Sequence, residues 1–162
     1  MSFGEVNNLR KSGNLQDAFA MAQADMNADP GNIWNKRSMG WVYFDQLKAA
    51  SQVEQFEAFE QILCSIAELG LPVEEDMFWE QVCWQAGKMA FAIQKTEPVD
   101  FSKLDHLFHC IVTLPFHKPS ESYSFLLKAF QKSSKVWWQY TAFVEWWGLE
   151  HLRQEDYLAE EM

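Results

Sequence analysis

The chain has 162 residues, 48% hydrophobic and 15% aromatic, with thirteen Phe and eight Trp. That length is one domain's worth and supports a sizeable core, and so apolar a composition excludes intrinsic disorder. The formal net charge of −10 disfavours direct nucleic-acid binding, and no uninterrupted apolar run approaches the ~18 residues of a membrane span.

Apolar residues recur at i, i+3, i+4 and i+7 along most of the chain, and period-2 alternation is nearly absent, so the fold class expected is all-α. The first helix is predicted at about 2–11, closed by Gly13-Asn14, and the second at about 14–28, closed by Asp29-Pro30-Gly31-Asn32. The third, about 32–47, sets Trp34 and Trp41 seven residues apart on one face. The fourth, about 51–69, carries Phe56, Phe59, Ile62, Leu63 and Ile66 and stops at Gly70-Leu71-Pro72. Phe78, Val82, Met89 and Ile93 line the fifth, about 74–94; Leu104, Leu107, Phe108 and Ile111 line the sixth, about 100–114. A loop with two prolines leads to helices at about 120–132 and 134–148, the latter ending at Gly148 before an acidic tail over 149–162. The expectation is about eight helices in four antiparallel hairpins, stacked as one domain over 1–162.

The stretch GNLQDAFAMAQADMNADPGN, residues 13–32, has its own spacing signal. Gly13 permits a tight interhelix turn, Ala18 is small enough for close helix approach, and Pro30 cannot continue a helix. With Leu15 at the Tyr position, Gly13 and Ala18 resemble the G-x-Y-x-x-A of the tetratricopeptide repeat, closed by Asp29-Pro30. Trp34 and Trp41 are similar to that family's leading Trp and the Tyr seven positions on. Ala22, Asp25 and Arg37-Ser38 depart from its usual residues, and the resemblance covers residues 13–41, about one repeat. It implies a right-handed superhelix of hairpins whose first helices form a concave face for a peptide or partner protein. On that pattern the face residues are Asn32, Asn35, Met39, Val42 and Tyr43. The lysine and asparagine clamp of the carboxylate-binding relatives is not reproduced, which disfavours a C-terminal carboxylate as ligand.

The function expected is therefore a non-catalytic protein-interaction or scaffold module. The alternative is a small-molecule-binding or enzymatic helical domain with an aromatic-lined pocket between helices. The seven glycines are scattered, so no P-loop or dinucleotide fingerprint forms, and G-x-S-x-G, H-E-x-x-H and C-x-x-C are missing. Glu54, Glu57 and Glu60 share a helix edge and read as solvated surface rather than an acid/base pair. His106, His109 and Cys110 sit at i, i+3 and i+4, a spacing that can converge on zinc, with His117 across the loop. Packed or surface side chains are the commoner fate of such a cluster, and a Cys110/His nucleophilic pair lacks an orienting third group, so no metal or cofactor is expected. Cys64, Cys83 and Cys110 read as reduced core thiols of a cytoplasmic protein. The start, MSFGEVNNLRKSG, lacks the charged and apolar regions of a secretory signal.

Two surfaces are expected to meet partners. Residues 51–80 hold eight acidic side chains and no Lys or Arg, a solvated face or a docking face for a basic partner. Trp137-Trp138 and Trp146-Trp147 cannot all point inward, since successive helical residues lie about 100° apart. Trp138 or Trp146 then presents an apolar patch, to be covered by a second copy of the chain or by further helices of a longer parent protein.

Overall fold

The computed structural model describes residues 3–96, 100–112 and 114; the helices predicted at 120–132 and 134–148, the tail, Trp138 and Trp146 lie outside them. The described part is 80% helical with no strand, in six α-helices. None of these is long and apolar enough to cross a membrane. The chain divides into two compact units, Met1–Phe78 and Trp79–Met162.

In the first unit, α1 (Phe3–Lys11) ends in a left-handed residue, Gly13, at φ +80°. The Gly13 N–H donates to the Arg10 carbonyl and the Asn14 N–H to that of Leu9, the two bonds of a Schellman turn. Asn14 then caps α2 (Leu15–Ala28), its side chain accepting from the Asp17 N–H. The chain turns through Asp29–Asn32, and Asn32 caps α3 (Ile33–Gln52) by accepting from the Trp34 N–H at 2.9 Å.

The boundary between the third and fourth helices differs from the sequence expectation. α3 runs to Gln52 instead of 47, and α4 (Phe56–Leu69) starts at 56 instead of 51. No Gly or Pro marks this turn; Glu54 takes the left-handed conformation at φ 56°. The Glu54 N–H donates to the Ser51 carbonyl and the Gln55 N–H to that of Ala50, so the second hairpin repeats the Schellman turn of the first. Gly70, at φ 72°, ends α4 as its position predicts.

Packing follows chain order: α1 lies on α2, α2 on α3, and α3 on α4, with α1 also touching α3. Val6 of α1, Ala18 and Ala22 of α2, and Met39 and Val42 of α3 form one buried cluster. Ala18 and Ala22 are fully buried, and their small size is what lets the helices approach. Phe56, Phe59, Leu63 and Ile66 form the buried stripe of α4 at helical spacing. Full burial of Phe59 alone stabilises the unit by about 2 kcal/mol. Trp41 of α3 meets Phe44 and Phe78 edge-on at 5.4 and 5.3 Å. A Cβ at Gly40 would come within 2.7 Å of Leu71 Cδ1, so only a glycine fits α3 there without a shift.

The second unit takes most of α5 (Asp76–Gln94) and all of α6 (Phe101–Val112). Trp79, Val82, Ala86, Met89, Ala90 and Ile93 of α5 are buried, as are Leu104 and Leu107 of α6. α5 also keeps one face in solvent, where Met77, Glu80, Gln81, Trp84 and Lys88 recur at helical spacing.

Candidate functional site

The face expected to hold a partner is largely used within the first unit. Met39 and Val42 are 2% and 0% exposed, packed against Val6, Ala18 and Ala22, which removes both from any partner-contacting set. Asn35 is also engaged: its Nδ2 donates to the carbonyls of Asp25 at 3.0 Å and Asp29 at 3.2 Å, each of which also accepts a backbone N–H, from Asp29 and Asn32 respectively. Asn32 spends its Oδ1 on the α3 cap. Tyr43 is partly buried, its ring tilted against Phe19 at 6.0 Å. Met39 and Val42 are buried because this side of α3 docks on α1 and α2.

Trp34, whose backbone N–H the Asn32 cap accepts, is an outward-facing aromatic residue of the first unit, and Trp84 of α5 is one in the second. Trp34 is 47% exposed and Phe3 38% exposed, their rings 5.7 Å apart in an edge-on arrangement. Each stands in the first turn of its helix, α1 or α3, which places the pair at one end of the hairpin stack. The Arg37 guanidinium lies 4.9 Å from the Trp34 ring centroid and donates to Glu75 Oε1, so the cation is held between a ring face and a carboxylate. This stacking and the bond to Glu75 are the use the fold makes of Arg37. Trp41, on the same sequence stripe as Trp34, is partly buried instead, with Arg10 5.5 Å from its ring centroid and bonded to Asp45 at 2.7 Å. Heptad spacing puts Trp34 and Trp41 on one side of α3 without stating where the neighbouring helices end.

The acidic segment forms the outer side of α4. Glu57, Glu60, Gln61, Cys64, Ser65 and Glu68 line an open groove there, and Glu57, Cys64 and Glu68 are exposed. Cys64 is therefore not the core thiol its apolar neighbours suggested; it stands opposite the Phe56, Phe59, Leu63 and Ile66 stripe. Cys83 is buried, and that burial, with Glu80 one turn away, pushes its thiol up to about 12. A thiol so protonated is a poor nucleophile and a poor metal ligand at neutral pH. Gln85, also buried on α5, leaves Oε1 without a hydrogen-bond partner.

Among the described residues no three His, Cys, Asp or Glu side chains gather as a metal set. His106 is exposed and Cys110 partly buried; the His109 side chain and His117 lie outside what is described. Compared with known families, curated proteins and solved structures, the chain matches no family model, no curated sequence and no solved structure.

Proposed function

We propose that this protein is a non-catalytic interaction module built from stacked helical hairpins of the tetratricopeptide kind, binding a protein or peptide partner. The observation that supports it is the half-exposed Phe3–Trp34 pair with Arg37 over the indole. Rigid aromatic rings beside an arginine are the side chains that most often anchor partners, because they bury much area at little entropic cost. Contact between α1 and α3 puts first helices of successive hairpins side by side, the arrangement from which such modules make a binding surface. The partner surface in this reading lies at the starts of α1 and α3, not along the Met39 and Val42 line.

The test uses the full chain and a partner recovered from it by affinity capture, then re-titrated as a pure component. Trp34→Ala should weaken that complex about 30-fold, the loss of a ~2 kcal/mol anchor. The same substitution should lower stability by no more than about 1 kcal/mol, since the ring is half in solvent already. A partner whose affinity ignores Trp34→Ala but collapses with added salt would move the binding surface to the acidic side of α4. Stabilisation of the protein in a thermal-shift screen by one class of small molecule, with no effect of any captured partner, would favour the pocket-bearing alternative.

A further inference from the structure

We draw no further inference here: the strongest candidate, the acidic groove along the outer side of α4 lined by Glu57, Glu60, Cys64 and Glu68, is a carboxylate cluster beside a lone thiol, and nothing in the structure shows what occupies it.

Discussion

Glu54 carries a conformational cost that Gly13 avoids. Both residues sit at the left-handed position of a Schellman turn, at φ 56° and +80°. For a residue with a Cβ that conformation costs roughly 1 kcal/mol or more, and glycine adopts it freely. Glu54→Gly should therefore raise unfolding stability by about 0.5–1 kcal/mol in urea titration, after the glycine's greater freedom in the unfolded chain is subtracted. A loss of stability would mean that contacts of the Glu54 side chain outweigh the backbone cost. Cys83 gives a pH dependence of definite sign. Its folded value of about 12 stands above the ordinary 9.0, so between those limits the unfolded chain releases a proton that the folded chain keeps. The contribution is complete below pH 9 and declines as pH rises toward 12, by about 1.4 kcal/mol per pH unit at most. Comparison with Cys83→Ala isolates this group from other titrations: the difference between the two proteins should shrink from about pH 8.5 to 10.5. A constant difference would show that the buried thiol ionises freely.

Among the helices, α3 decides the most. It touches α1, α2 and α4, and its buried residues include Met39, Gly40, Val42, Phe44 and Leu47, which point to several sides. Helical periodicity reads one apolar face well, as it did for Phe56, Phe59, Leu63 and Ile66 of α4, and reads a many-sided helix poorly. That is why Met39 and Val42, expected on an open face, are buried against α1 and α2, and why the end of α3 at Gln52 carried no composition signal. Gly40 is the sharpest constraint on this helix. Gly40→Ala gains about 1 kcal/mol of helix propensity but forces the 2.7 Å approach to Leu71, an overpacking that typically costs 1–3 kcal/mol, so a net loss of about 1 kcal/mol is expected. In a Leu71→Ala background the obstructing methyl is gone, and the same substitution should become neutral or stabilising. A double-mutant cycle in urea measures this coupling. Additive effects would show that Leu71 swings aside at no cost.

For the chain as a whole, acidity is the property with a direct solution consequence. A net charge of −10 at pH 7 and a pI near 4.8 predict mutual repulsion at neutral pH and low salt. Light scattering should give a positive second virial coefficient at pH 7 that falls and changes sign as pH approaches about 4.8. A negative coefficient at pH 7 would point to an attractive patch strong enough to override the charge, and its loss in Trp34→Ala would locate that patch.

Helical class, and the helix ends at Gly13, Asn14, Asn32 and Gly70, were legible along the chain because each depends on local chemistry. Glycine reaches positive φ, asparagine accepts a backbone N–H, and proline stops a helix whatever lies nearby. Burial was legible only where one stripe faced one neighbour. Whether Trp34 or Trp41 meets solvent, whether Cys64 or Cys83 is the core thiol, and which side of α3 is consumed by α1 and α2 follow from how the helices are placed against one another. Spacing tells which residues share a face, but the free energy of that face depends on what packs there, and that is a property of the assembled helices.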